Sequence, residues 1–489
     1  MATYVFETIT AAQALAYTTT DTLVFADQAA TATGVVKTTI AAGATTTAKD
    51  VFTYGDRSVT FEADKLVDVT FSDTSHYFVG SGALGTTESS TVGDAIYATA
   101  AATVDGSTGN DFISGSAGVD SLVGGSGNDT LSGGALADVL IGGTGVDSIT
   151  GGSGADIING DNGADVINGG TGADVILGGE DADTINGDND ADTINGDAGN
   201  DVIHGNNADD VLEGGTGNDF LYGDNGNDTM NTAGGGVDTL FGGDGNDTIT
   251  LTSTLATDTG DYTNGNKGED TIDGGNGKDT IYGGQGNDDI DGGTGADYIQ
   301  GNLGDDSIQG GAGNDTIRGG QDDDSIDGGA DADLIFGDLG DDSIDGSTGS
   351  DSIEGGAGDD RITGGADQDF MAGGDGADVF EFGNASSMAP TADVITDFSA
   401  DDSLDLSNQT FGADGSLTNY LESTAATYTA AATYATDHMA DADVHYVAVA
   451  VGSDVYLFID ATANATTFNQ VIVLAGSDLG DISFDQIAG

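Results

Sequence analysis

The chain has no cysteine, no tryptophan, one proline and only 8 lysines and arginines in 489 residues. Each scarcity closes a class of function. Without cysteine there is no disulfide framework and no thiolate metal site, although the compartment stays open. Eight bases against 85 acids leave a formal charge of −77, so nucleic acid is excluded as a partner, because phosphate binding needs a basic footprint. No run of about 18 apolar residues exists, so no membrane span is expected. The first residues, Met1-Ala2-Thr3-Tyr4-Val5-Phe6-Glu7, lack the basic and apolar regions of a secretory signal, and any export is expected to use another route.

Catalytic patterns are missing too. The four histidines, His76, His204, His438 and His445, form no H-E-x-x-H pair. The recurring G-x-G-x-x-G matches do not join a strand to a helix, as dinucleotide binding requires. Asp188-Asn189-Asp190-Ala191-Asp192 imitates the start of an EF-hand, but Thr193 stands where that loop needs glycine. The expectation is a chain that is not an enzyme.

What the chain has is a period. Fourteen nonapeptides run without a slip from Gly106 to Asn231, and thirteen more from Gly265 to Glu381. Between them lie a ten-residue unit (232–241), a regular unit (242–250) and an insertion (251–264), for 29 units in all. Each approximates G-G-x-G-x-D-x-U-x with U large and apolar, as in Gly124-Gly125-Ser126-Gly127-Asn128-Asp129-Thr130-Leu131-Ser132. So strict a repeat predicts a solenoid.

The chemistry of one unit follows from its residues. Glycines at positions one, two and four permit positive φ and close backbone approach, so six residues turn tightly. The aspartate points into that turn beside backbone carbonyls. An oxygen-only, many-membered donor set without histidine or cysteine suits a hard cation, Ca²⁺ rather than Mg²⁺. The last three residues form a short strand whose eighth position faces inward, so Ile185, Ile194, Ile203 and Leu212 stack in one core. Two units close an 18-residue coil. The candidate metal ligands are the unit aspartates: Asp111, Asp120, Asp129, Asp138, Asp147, Asp156, Asp165, Asp174, Asp183, Asp192, Asp201, Asp210, Asp219, Asp228, Asp238 and Asp247, then Asp270, Asp279, Asp288, Asp297, Asp306, Asp315, Asp324, Asp333, Asp342, Asp351, Asp360, Asp369 and Asp378. Ions between successive coils would number up to about 27 if the 29 units form one solenoid. Without them, self-repulsion favours the unfolded chain.

These units resemble the RTX repeats of proteins exported by bacterial type I secretion, which form a calcium-filled parallel β-roll. The end of the chain resembles the secretion-associated domain that follows such rolls. The matching stretches are Gly373 to Phe380, Ala392-Asp393-Val394-Ile395-Thr396-Asp397-Phe398, Leu404-Asp405-Leu406-Ser407, Val455 to Asp460 and Val471 to Gly476. An Ala/Thr-rich insert, Glu422 to Asp443, departs from that pattern. Residues 1–104 read as a small β-rich domain with strands at Leu23-Val24-Phe25, Ser58 to Phe61 and Val67 to Phe71. It holds Lys37, Lys49, Arg57 and Lys65, a candidate spot for an anionic surface polysaccharide or merely solubilising charge.

The expected fold class is all-β: a calcium-bound parallel β-roll solenoid between small β-rich terminal domains. The expected divisions are an N-terminal domain (1–104), a first roll (105–250), an insertion (251–264), a second roll (265–381) and a C-terminal capping and secretion domain (382–489). The composition resembles that of RTX surface-layer (S-layer) proteins. This implies a secreted, cell-surface subunit that assembles with itself through calcium, the type I apparatus being its export partner. The alternative is a secreted adhesin using the roll as a stalk. Positions seven and nine should face outward, so the Val139–Leu177 stripe on one face is expected to be covered by the N-terminal domain, the other roll or an adjacent subunit. Leu136 and Ala208, which replace the fourth-position glycine, are expected to distort their turns.

Overall fold

A computed structural model describes residues 93–251, 260–383, 392–406, 420–439, 446–459, 470–477, 479 and 487–488, and, as backbone strands, 3–5, 22–25, 36–40, 49–54, 57–62, 67–71 and 76–85. Lys65, His445 and Ser407 lie outside the described residues, as do the side chains of Lys37, Lys49, Arg57, His76 and His438. The chain forms two compact units, Met1–Gly235 and Gly236–Gly489.

In the first unit the strands Thr22–Phe25, Arg57–Glu62 and Val67–Phe71 fall where apolar runs predict them. Val67–Phe71 pairs with His76–Gly85, which pairs in parallel with Ala95–Asp105. That last strand starts the roll by pairing with Phe112–Ser114 and, through Thr103 to Asp105, with Ser121–Ser126. From there each strand pairs in parallel with the one 18 residues on, as Ile158 with Ile176 and Ile176 with Ile194. The solenoid is therefore all-β and parallel.

The strands are longer than the last three residues of a unit. Val175–Glu180 and its neighbours run through positions seven, eight and nine and on to position three of the next unit. The reason is that the first glycines still pair between coils, as Asp161 with Gly179, before position four turns the chain. Eighth-position side chains form the core: Ile185, Ile194, Ile203 and Leu212 are each at most 1% exposed. Each such burial contributes about 2 kcal/mol.

The second unit repeats the scheme from Thr239–Asp244 to Val379–Glu381. Part of the insertion joins it. Tyr262–Lys267 is a regular coil strand between Thr239–Asp244 and Thr280–Gln285, with Thr263 buried where other coils place an apolar residue. Beyond Glu381, Asp393–Ile395 pairs with Phe370–Asp375, and Ser403–Asp405 with Val379–Glu381, adding a further coil. The Ala/Thr-rich insert contributes strand Tyr420–Ala425 and helix Tyr428–Met439. The helix packs Ala431 and Ala435, one turn apart, among Val447, Val449, Phe458 and Val471.

Outward residues sort by face as the 18-residue register demands. Within the first unit, Ile157, Val175 and Leu177 of the Val139–Leu177 stripe are exposed, and Val139 and Ile141 are half-buried. At position four, Leu136 and Ala208 take φ of 69° and 86°, alongside Asp181 at 78° and Asp190 at 73°. Glycines in equivalent turns open further, as Gly145 at 132° and Gly217 at 138°. The contrast lies between glycine and everything else, because an L side chain is confined to the narrow left-handed well whatever its chemistry.

Candidate metal centre

The tight turn delivers each unit's aspartate to the inside of the roll, and the next coil fixes it there. The Asp183 carbonyl accepts from Val202 N (2.9 Å), and Asp183 N donates to Asp201 Oδ1 (2.7 Å). The same N–H to Oδ1 bond repeats coil after coil, for example from Asp156 to Asp174 and from Asp306 to Asp324. All 29 predicted aspartates are buried, none more than 3% exposed.

Their second oxygen is the informative one. Oδ2 of Asp183, Asp192, Asp201 and Asp210 in the first roll, and of Asp306, Asp315, Asp324 and Asp333 in the second, is buried without a hydrogen-bond partner. A carboxylate oxygen taken out of water and left unpaired is strongly unfavourable. Burial accordingly pushes these acids up from 3.8, Asp183 to about 7 and Asp324 to about 8. Backbone N–H donation opposes the shift, and the aspartates of adjacent coils reinforce it.

The first glycine of each unit leaves room beside that oxygen. A methyl group on Gly151 would stand 2.5 Å from Asp156 Oδ2 and 2.5 Å from the Gly169 carbonyl oxygen. On Gly346 it would stand 2.6 Å from Asp351 Oδ2 and 2.6 Å from Gly364 O. A carboxylate oxygen and a carbonyl oxygen from the next coil thus converge on one glycine-lined cradle. Among the described residues no three His, Cys, Asp or Glu side chains gather as a metal cluster, so backbone carbonyls must complete any shell. That donor set fits Ca²⁺.

One predicted ligand differs. Both Asp120 oxygens are used by the protein: Oδ1 accepts from Ala102 N (2.6 Å), and Oδ2 accepts from Ser116 N (2.7 Å) and Ser116 Oγ (3.0 Å). Four further aspartates, not foreseen from the repeat, extend the ladders. Asp94 lies outside the full nonapeptides, yet its backbone N–H donates to Asp111 Oδ1, and Asp261 links Asp238 to Asp279. Asp393 and Asp402 accept from Asp369 and Asp378. All four are buried. Their signal was an aspartate two residues before a core position (Ile96, Thr263, Ile395, Leu404) without the preceding glycines. Asp402 resembles Asp120, since its Oδ2 accepts from Ser399 N at 2.6 Å. His204, on the outer face, stacks on Tyr222 (4.4 Å) and meets Asp224 through Nδ1 at 3.0 Å.

Fold and cradle together define a parallel β-roll of the calcium-binding kind. The chain belongs to the RTX calcium-binding nonapeptide repeat family, whose profile matches residues 100–251 and 256–380. No curated protein matches the chain. Among solved structures, the AlgE6R3 subunit of the Azotobacter vinelandii mannuronan C5-epimerase is 24% identical over 34% of this chain and 78% of its own, with a TM-score of 0.14. A hyperactive, Ca²⁺-dependent, β-helical antifreeze protein from an Antarctic bacterium is 22% identical over 56% of this chain and 83% of its own, with a TM-score of 0.21. Neither likeness bears on function. No helix among the described residues is long and apolar enough to cross a membrane.

Proposed function

We propose that this chain is a secreted structural protein of the bacterial cell surface, an S-layer subunit that folds and assembles on meeting extracellular calcium. One observation carries the reading: a buried carboxylate oxygen without a protein partner recurs through both rolls. A chain built this way is unstable where calcium is scarce and rigid where it is abundant, at affinities of roughly millimolar or tighter. RTX repeats are typical of secreted proteins, and the C-terminal segment serves type I export in this reading. The ions, up to about 27 for 29 units, would neutralise much of the −77 charge. The protein acts by its shape and its contacts, without catalysis.

The test combines circular dichroism with electron microscopy of the full chain. Millimolar calcium should produce β-sheet signal and ordered arrays, and EGTA should abolish both. Far-UV dichroism unchanged by EGTA would overturn the calcium-dependent fold. A folded chain that forms no arrays at any calcium concentration would overturn the S-layer role.

A further inference from the structure

The first roll carries a face that suits a partner as acidic as itself. Seven strands, from Ser121–Ser126 to Thr229–Ala233, lie side by side on it at 18-residue intervals. Of their outward residues at positions seven and nine, Glu213 alone is charged. Four of the large apolar ones stand open to solvent, Ile157 at 52% exposed, Val175 43%, Leu177 37% and Val211 46%, while Val123, Val139 and Ile141 are half-buried. The acids Asp161, Glu180 and Asp197 sit at positions two and three of the same strands, along the turn edge. An uncharged apolar centre with a polar rim is the anatomy of a protein interface.

A second feature lies at the edge of this face, in a turn shared with the opposite one. Leu136, in the turn entering Val139–Thr144, is held at φ 69° and is 55% exposed. An exposed leucine in the left-handed region gains neither backbone ease nor burial within its own chain. Its presence makes sense where another surface covers it.

We infer that this face docks a second copy of the chain, face to face about a two-fold axis. The inference rests on the self-assembly proposed above and names its contact surface. Three arguments select the occupant. With a charge of −77, two copies repel each other everywhere except where acids are sparse, and this face is such a place. Side-chain rows spaced about 4.8 Å apart mesh best with rows of the same spacing, which an identical roll supplies. Seven strands of five or six residues present roughly 650 Å² per copy, or roughly 1,300 Å² per pair, within the range of specific interfaces.

The experiment compares the full-length chain with Ile157→Asp/Leu177→Asp by analytical ultracentrifugation in millimolar calcium, with dichroism as the folding check. The wild type should associate, and the double variant should fold yet dissociate at least about 100-fold more readily, because it buries two unpaired carboxylates. Ile157→Thr/Leu177→Thr keeps strand-forming residues already found in this row at Thr193 and Thr229, so it decides the matter if the aspartates prevent folding; it should weaken association. Val166→Asp/Phe220→Asp, on the opposite face, should leave association unchanged. Association that survives both variants of the stripe overturns the assigned face while leaving self-assembly intact. Equal loss from the opposite-face variant also overturns it. A wild type that stays monomeric in calcium overturns the face and the assembly reading together, and leaves the stripe to another occupant such as a polysaccharide.

Discussion

In the second roll strands of six and three residues alternate: Thr280–Gln285, Asp289–Asp291, Tyr298–Leu303, Ser307–Gln309. In the first roll both faces carry strands of five or six from Ser121 to Asp244, such as Ile157–Asn162 and Val166–Thr171. Outward chemistry diverges as well. The three-residue face of the second roll bears Asp273, Asp289, Asp291, Asp327 and Asp345 around a shallow groove. Its other face bears Tyr282 and Tyr298, which continue a row of rings begun by Phe241 and by Tyr262 of the insertion, with successive centroids 5.6, 5.7 and 6.0 Å apart. Further along, Arg318 lies 4.2 Å over Phe336 and pairs with Asp338 at 2.9 Å. Inside, the two rolls are alike: aliphatic eighth positions and the same N–H to carboxylate ladder. Residues that face the interior obey one rule in both rolls, while those that face outward are free to specialise.

If the shared interior is the correct account, both rolls must respond together to its chemistry. The largest effect should come from pH in the metal-free chain. Burial raises the native-state values, Asp183 to about 7 and Asp324 to about 8, above the ordinary 3.8. A group that binds its proton more tightly when folded stabilises the fold at low pH and loses that contribution as pH rises through the folded value. Calcium-stripped protein should therefore gain β-structure as pH falls from about 8 to about 4, with limited proteolysis showing protection in both rolls. Protection in one roll alone would break the comparison.

A smaller effect should separate aspartates that await an ion from one the protein already satisfies. Asp183→Asn and Asp324→Asn should each lose one calcium by elemental analysis and about 3 kcal/mol of calcium-loaded stability. Asp120→Asn should lose no ion, because Ala102 and Ser116 occupy both of its oxygens. Equal ion loss at Asp120 would show that the cradle does not depend on a free Oδ2.

The smallest effect concerns the outside. Leu136→Gly should raise the thermal midpoint of the calcium-loaded chain, by about 1 kcal/mol of relieved left-handed strain, while weakening self-association. A variant less stable than the parent would mean that Leu136 packs against its own chain.

The sequence alone made the interior legible, because everything there is local and periodic. An aspartate two residues before an apolar position, behind three glycines, prescribes turn, ligand and core within nine residues. Ile185, Ile194, Ile203 and Leu212 could be assigned to one core before any coordinates. Legibility failed where a contact came from a coil without the motif. Asp94, Asp261, Asp393 and Asp402 enter the ladders without the glycine signature; Asp120 differs for a local reason, Ser116 at position two of its own unit. The helix Tyr428–Met439 was unreadable because alanines carry no pattern until a sheet packs against them.

The sequence by itself thus determined the repeat, the inward residues and the cation they suit, since those follow from glycine conformations, strand alternation and oxygen chemistry within single units. The tertiary structure decided which carboxylate oxygens remain unpaired, which coils join without the motif and which outward residues stand exposed. Apart from Asp120 and Asp402, whose Oδ2 atoms meet Ser116 and Ser399 a few residues away, those outcomes depend on neighbours 17 to 24 residues away along the chain, and a nine-residue pattern carries no information about a partner that lies one coil beyond it.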